Sequence, residues 1–261
     1  MSRVALKFLS WNVNGVRSSV KKGAFDWILE QKAFVCGLQE TKAREDQLES
    51  EIASPPGFYA CWYPAQRPGY SGTAIIAQEE PISVKLGFEP YFDDEGRCIT
   101  AEYSQFYFVT VYFPNGGAST ERLAYKLAFY NAFLKYANEL KSTGKTVIIC
   151  GDVNTAHMPI DLARPKENED VSGFLPQERA WIDKFLAAGF IDTFREKHSE
   201  GDQYSWWDMK THARDRNVGW RIDYFFIDKA SSRKLKDAFI LQDVQGSDHC
   251  PVGITMEFDV L

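Results

Sequence analysis

The sequence predicts an α/β fold of two packed β-sheets, and three observations carry that expectation. Apolar runs of strand length end in polar residues at Trp11–Asn14, Gln39–Thr41 and Gly151–Asn154, and they alternate with amphipathic segments of helical period. A series of short strands separated by Gly, Pro and acidic turns fills residues 58–113, the pattern of an antiparallel meander. The chain also echoes itself. Trp11-Asn-Val-Asn14 and Gly151-Asp-Val-Asn154 both close an apolar strand with polar-Val-Asn, and each precedes a helix-containing segment and further strands. The echo points to two similar halves. No linker-like composition divides the 261 residues, so one domain over residues 1–261 is expected.

The elements follow in order. Ala5 to Val13 reads as a strand, Ala24 to Gln31 as a helix with Phe25, Ile28 and Leu29 inward, and Phe34 to Leu38 as a second strand. A polar helix is expected near Glu45 to Ile52, stopped by Pro55-Pro-Gly57. Five strands come next: Phe58 to Tyr63, Gly72 to Ala77, Ser83 to Phe88, Arg97 to Tyr103 and Phe106 to Phe113. Thr120 is expected to cap a long helix with an apolar stripe of Leu123, Leu127, Tyr130, Leu134 and Ala137, ended before Gly144. Val147 to Asn154 is a buried strand running into polar residues, and Thr155 to Gly173 is a long polar loop. Pro176 opens a helix that Gly189 stops. An irregular Trp-rich basic segment precedes three last strands, Ile222 to Ile227, Ala238 to Val244 and Val252 to Val260.

Composition narrows the class. Hydrophobic residues at 44% and charged residues at 25% are ordinary for a globular chain, whereas aromatics at 15% call for a well-filled core or exposed stacking surfaces. The net charge of -6 does not favour a polyanion partner, yet carboxylates gathered at a metal site leave room for a separate basic face. The five cysteines are odd in number, widely spaced and without a C-x-x-C pair, as expected of reduced thiols in a cytoplasmic protein. Met1 to Lys7 leads straight into a strand, so no signal peptide is expected, and no apolar run reaches membrane-spanning length.

Several polar groups carry chemistry. Asp152 and Asn154, two apart, share a face if the strand runs that far. Glu40 ends another apolar strand. If the two ends converge, a carboxylate with an amide partner, Asn12 or Asn14, suits Mg²⁺, and no His/Cys spacing suits zinc. In Gly246-Ser-Asp-His-Cys-Pro251, neighbours in an extended segment point apart, so Asp248 is poorly placed to orient His249. Asp223, an acid inside an apolar strand, needs a partner, and His249 would serve. Between Trp206-Trp207 and Trp220-Arg221 lie Lys210, His212, Arg214 and Arg216, a strip that suits a nucleic-acid backbone with an unstacked sugar or base, or equally a Trp-anchored surface loop. Tyr112 and Asn115, around a Gly-rich turn, offer donors to a phosphate or belong to an ordinary strand-to-helix turn. Together these groups suit metal-assisted hydrolysis of a phosphodiester.

Seven motifs in fixed order carry a resemblance: Ser10-Trp-Asn-Val-Asn-Gly15, Leu38-Gln-Glu-Thr41, Gly69-Tyr-Ser-Gly72, Tyr112-Phe-Pro-Asn115, Gly151-Asp-Val-Asn154, Asn217-Val-Gly-Trp-Arg-Ile-Asp-Tyr224 and Gly246-Ser-Asp-His-Cys-Pro251. With these the chain resembles the exonuclease III family of apurinic/apyrimidinic endonucleases, in the endonuclease/exonuclease/phosphatase superfamily, over essentially its whole length. The resemblance implies a four-layer α/β sandwich, two mixed sheets face to face with helices outside. It implies Mg²⁺-dependent incision (Mn²⁺ substituting) of double-stranded DNA 5′ to an abasic site, accompanied by 3′-5′ exonuclease and 3′-end trimming. Carried over by motif, Glu40 is the main metal ligand, Asn12 and Asn14 stand beside it, and Asp248 lies near. Asn14, Asp in some members, is the weaker contributor. Asp152 activates the attacking water. Asn154, Asn115 and Tyr112 position phosphate and nucleophile, and His249, oriented by Asp223, binds the phosphate. Trp206 and Trp220 wall the sugar pocket, and Lys210, Arg214, Arg216 and Arg122 are expected to contact DNA. Trp206 is Phe in some relatives, and Ala118 stands where some insert an Arg into the duplex. The missing N-terminal extension of some eukaryotic members points to a prokaryotic protein, expected as a nucleoid-associated monomer. The rivals are a superfamily branch acting on lipid or inositol phosphates and a DNA-binding module without catalysis. The basic-aromatic strip argues against the first and the full set of polar residues against the second.

Overall fold

The computed structural model describes residues 3–260; Met1 and Ser2, at the start of the segment read as leading into the first strand, and Leu261 lie outside it. β1 (Arg3–Asn12) starts exposed and ends buried. α1 (Val16–Val20) and α2 (Ala24–Glu30) carry the chain to β2 (Val35–Gln39), all five residues of which are buried. After the short α3 (Ser50–Ala53) come β3 (Tyr59–Tyr63), β4 (Thr73–Ala77), β5 (Ser83–Leu86), β6 (Cys98–Glu102) and β7 (Phe106–Val111). α4 (Thr120–Ser142) leads into β8 (Thr146–Asp152), and α5 (Pro176–Ala187) into β9 (Phe190–Asp192) and α6 (Thr193–Lys197). A two-stranded ribbon, β10 (Trp206–Trp207) with β11 (Gly219–Trp220), precedes β12 (Asp223–Asp228), β13 (Leu235–Ile240) and β14 (Val252–Asp259).

Two six-stranded sheets result, ordered β13-β14-β1-β2-β4-β3 and β5-β6-β7-β8-β12-β9. β1 pairs with β2, and β7 with β8, in parallel. A parallel pair needs a crossover, and α1 with α2 and α4 supply them. Alternation along each strand then builds four layers. Phe8, Ile75 and Ile254 of the first sheet meet Phe108, Ile148 and Phe225 of the second. One residue on from Phe8, Leu9 faces outward with Trp11 and Leu38 onto Phe25 and Ile28 of α2. On the far side Val109 and Ile149 pack under Phe129 and Phe133 of α4 and Trp181 and Phe185 of α5. Each fully buried ring contributes about 1.5–3 kcal/mol. Much of the aromatic content is therefore core. Near one end of the sandwich the sheets are joined by polar groups, with Gln39 Nε2 donating to Ser10 Oγ (3.0 Å) and across to Thr110 Oγ1 (2.8 Å).

Several expectations are corrected. The strands of residues 58–113 do not form one meander, because β3 and β4 join the first sheet and β5, β6 and β7 the second. Nor are the sheets the two halves of the chain, since β13 and β14 return to pair beside β1. Ser119 caps α4, accepting from Arg122 N, while Thr120 is the first helical residue. The buried face of α4 is broader than the stripe, because it packs on both the second sheet and α5. It adds Lys126, Phe129, Phe133 and Tyr136 and leaves Leu123 and Leu127 half-buried. Residues 45–52 do not make one helix but a 3-10 turn, Glu45–Gln47, and α3, neither with a buried residue to hold a longer one. The strand expected at Ala238 to Val244 starts at Leu235 and ends at Ile240, where a turn from Leu241 to Val244 follows. α1, β9, α6 and the β10–β11 ribbon are too short to leave a periodic signal. Among the described residues, no helix is long and apolar enough to cross a membrane.

Candidate active site

Five strands bring their polar ends to one end of the sandwich. β1 delivers Asn12 and β2 delivers Glu40 just past its last residue, while β7 and β8, parallel to each other, deliver Tyr112, one residue past β7, and Asp152. β12 runs the other way and starts there, with Asp223 directly across from Asp152. Gly151 makes the last turn of β8 feasible. At its φ of 140° a Cβ would lie 1.8 Å from the Val111 carbonyl oxygen, so only glycine lets β8 press against β7 just before the carboxylate.

Asn154 does share Asp152's side, but by a turn rather than by strand alternation. β8 ends at Asp152, Asn154 takes a left-handed φ of 54°, and its backbone N–H donates to Asp152 Oδ1 (2.7 Å). The Asn154 amide donates to Phe113 O (2.9 Å) and Asp152 Oδ2 (3.2 Å) and accepts from Asn115 (3.1 Å). Asn12, fully buried, donates to Glu40 (2.9 Å) and to Asp152 Oδ2 (2.9 Å). Its oxygen accepts from the Asn14 backbone N–H (3.0 Å), so Asn12 bridges the two carboxylates as a donor and keeps one lone pair on its oxygen. His249 Nδ1 donates to Asp223 (2.8 Å), and its Nε2 lies 3.9 Å from Asp152. Asp248 turns away from that ring to accept from Asn14 (2.9 Å) and Trp206 Nε1 (3.1 Å).

Burial and charge set the protonation states. Burial, with Asp223 and Glu40 adding and His249 opposing, pushes the Asp152 carboxyl up to about 7. Burial would lower His249, but Asp223, Asp152 and Asp248 overcome it and raise the imidazole to about 10. The ring is therefore a cation at neutral pH, with no lone pair for a metal. Burial and Glu40 keep the Tyr112 phenol well above the usual range despite Arg97, whose guanidinium stacks 4.6 Å from the ring, so it is a standing donor. Burial acts against ionisation of Glu40, yet Lys42 and Asn12 hold it below the usual carboxylate range. Asp248 is also lowered, by His249 and Asn14 against burial.

Donor atoms of Glu40, Asp152 and His249 lie within 4.8 Å of one another. With His249 protonated, the groups that suit a hard divalent cation are carboxylate oxygens, those of Glu40 first, with Asp248 and the Asn14 amide behind. A cation already sits there. The Lys42 ammonium lies 2.8 Å from Glu40 and donates to Asn14 Oδ1. Lys42 was not read from the sequence, although its place two residues after Glu40 is a usable signal.

These groups line a cavity of about 380 Å³, closed on one side by Trp206, Trp220 and Ile222 and on another by residues 171–173. The two indoles meet edge to face, 6.4 Å apart. The basic strip is only partly at the surface. Lys210 and Arg216 are exposed, but Trp207 is buried and Arg221 is sealed between Asp161 and Asp192. Arg216 gives one bond to the Thr211 carbonyl (3.1 Å), and two other expected DNA contacts have their heads more fully engaged by the protein. Arg214 stacks on Trp207 and donates to the Gln242, Val244 and Ser247 carbonyls, and Arg122 pairs with Glu95 and Tyr70. In their place a shallow basic concavity adjoins the site through Gly15 and Lys42 and carries Arg17 and Lys21.

Comparison with known proteins agrees with this arrangement. A model described as the Endonuclease/Exonuclease/phosphatase family matches residues 9–249. An exodeoxyribonuclease of Bacillus subtilis (strain 168) is 43% identical over 251 residues, covering 95% of this chain and 98% of its own. An AP endonuclease from Archaeoglobus fulgidus superposes with a TM-score of 0.87 at 27% identity, over 98% of this chain and 100% of its own. The 3′ phosphatase NExo from Neisseria, solved bound to a product DNA hairpin, gives 0.87 at 26%, again over 98% and 100%. The chain belongs to the endonuclease/exonuclease/phosphatase family of hydrolases.

Proposed function

We propose that the protein incises duplex DNA 5′ to abasic sites with Mg²⁺, Mn²⁺ substituting, and trims 3′ ends by exonuclease and phosphatase action. Residues 1–261 act as one catalytic domain, a monomer in a bacterial cytoplasm. The observation that carries the reading is the juxtaposition, in one Trp-walled cavity, of a base poised near neutrality, a buried imidazolium and a carboxylate already holding a cation.

In this reading the scissile phosphate lies against Asp152 and His249 on the cavity side. Asp152 accepts a proton from water as its oxygen forms the bond to phosphorus. General base catalysis of this kind contributes about 10²- to 10⁴-fold. The His249 imidazolium, held by Asp223, donates to a non-bridging oxygen, and the Tyr112 phenol and the Asn154 and Asn115 amides position phosphate and nucleophile. A divalent cation at Glu40, near Asp248 and Asn14, would supply the positive charge that offsets the departing 3′ oxygen. Trp206 and Trp220 wall the space for the abasic sugar. Lys210, Arg216, Arg17 and Lys21 meet the phosphate backbone, whereas Arg214 and Arg122 act by shaping the protein surface.

The test is a labelled duplex with one abasic site, incubated with Mg²⁺ and with chelator beside a lesion-free duplex. A single cut 5′ to the lesion, seen only with metal, is expected. No cut with Mg²⁺ or Mn²⁺ by folded protein would discard the reading.

A further inference from the structure

Two charged side chains with no access to solvent lie behind the cavity. Lys126 of α4 and Glu178 of α5 are both 0% exposed and 2.6 Å apart. Each is saturated. The Lys126 ammonium uses its three protons on Glu178, the Asn154 carbonyl (2.8 Å) and Thr155 Oγ1 (2.9 Å). Glu178 accepts further from Ser172 Oγ (2.9 Å) and from the backbone N–H groups of Gly173 (2.6 Å) and Leu175 (3.1 Å).

An acidic residue at this position of a helix is expected to bond the backbone at the helix start, and the Leu175 contact does that. Such a cap needs neither a buried lysine nor the bonds to Ser172 and Gly173. Net stability is a poor account too, because a buried pair is often replaced by apolar residues at no loss. What the pair does is connect. It ties two helices to the turn that presents Asn154 and to the segment whose residues 171–173 line the cavity. The tolerance there is small. Gly173 stands at a φ of 103° with its Cβ position 3.2 Å from the Trp220 ring and 3.3 Å from the Asn154 carbonyl oxygen.

We propose that Lys126 and Glu178 are positioning residues that set the distance between this wall and Trp220, and thereby decide whether a substrate with a sugar beyond the scissile phosphate is accepted. The proposal rests on the functional reading above. A terminal 3′-phosphate carries no such sugar and leaves the walled space empty.

The experiment compares kcat/KM on an abasic duplex and on a duplex ending in a 3′-phosphate for the wild type, Glu178→Gln and Lys126→Met/Glu178→Leu, with thermal melts alongside. Both variants are expected to lower the abasic to 3′-phosphate ratio at least tenfold, the loss on the 3′-phosphate, which shares only the Asn154 turn with this wall, being the smaller of the two. Equal loss on both substrates, or no change in the ratio, would overturn the proposal. Amide exchange tests it without turnover. Gly173 and Leu175 N–H should exchange at least tenfold faster in the double variant, and unchanged protection would equally overturn it. A wild type inactive on both substrates would overturn the functional reading alone, since the exchange result still decides this one.

Discussion

Replacing Asp223 by Asn probes the site without touching a group that meets the metal or the attacking water. Asp223 contributes the largest force that keeps His249 charged against burial, through its charge and a 2.8 Å hydrogen bond. An amide in its place leaves only Asp152 and Asp248 to oppose desolvation, so the imidazole falls from about 10 and gives up its proton at lower pH. The phosphate then exchanges a charge-assisted hydrogen bond for a neutral one, a loss of about 1–2 kcal/mol, or roughly 5- to 30-fold in kcat/KM. The pH profile gives a sharper sign. In the wild type the acid limb should rise as Asp152 deprotonates, from about 7 without metal, and the activity should fall as His249 deprotonates, towards about 10. Asp223 also raises Asp152, so its removal moves both limbs to lower pH together. A bound cation shifts the acid limb lower still in both proteins, so the comparison is made at saturating Mg²⁺. Single-turnover cleavage of a duplex bearing a tetrahydrofuran abasic analogue, stable to alkali, reads it from pH 5.5 to 10.5. A variant within twofold of wild type at pH 8 with its alkaline limb unmoved would refute the assignment of His249 as a cation held by Asp223.

Three further outcomes are expected. Asp152→Asn should reduce turnover at least about 100-fold while the dissociation constant for abasic duplex stays within a few-fold; near-normal turnover would remove Asp152 from the chemistry. Glu40→Gln should raise the Mg²⁺ concentration for half-maximal cleavage at least tenfold, and an unchanged metal titration would place the ion elsewhere. Arg221→Met leaves the buried Asp192 without its cation and Asp161 with Arg195 alone, and should cost about 3 kcal/mol in denaturant unfolding. Against burial, Arg221 and Arg195 hold Asp161 down to about 2, so its contribution is full above the ordinary carboxylate range and is lost as pH falls through about 2. The variant should therefore unfold at a higher pH on acidification, and an unshifted acid transition would argue against this pair.

The site was more legible in the sequence than the scaffold that holds it, for a physical reason. Glu40, Asp152 and Asp223 each stand at the end of an apolar strand, and a buried carboxylate demands a partner wherever it lies. That demand linked His249 to Asp223 across 26 positions before any contact was visible. Lys126 and Glu178 gave no such signal, because each lies in a helix where charge is ordinary and only the fold brings positions 52 apart into contact. The same limit applied to Arg214 and Arg122. Their composition marked them as basic, but the direction of a guanidinium depends on carbonyls and carboxylates supplied by distant segments. Sheet membership was hidden too, since nothing in the short turn between β4 and β5 marks the point where the chain leaves one sheet for the other.

The polar bridge from Gln39 to Thr110 has one more consequence. Asn12 and Glu40 belong to one sheet, and Tyr112, Asp152 and Asp223 to the other, so neither sheet holds a working half of the chemistry. Asn12 spans the seam by touching Glu40 and Asp152 at once. Catalysis thus acts as a vernier on how the two sheets slide against each other. A core substitution far from the cavity that slips one sheet by an ångström would silence the enzyme while leaving it folded, stable and able to hold DNA.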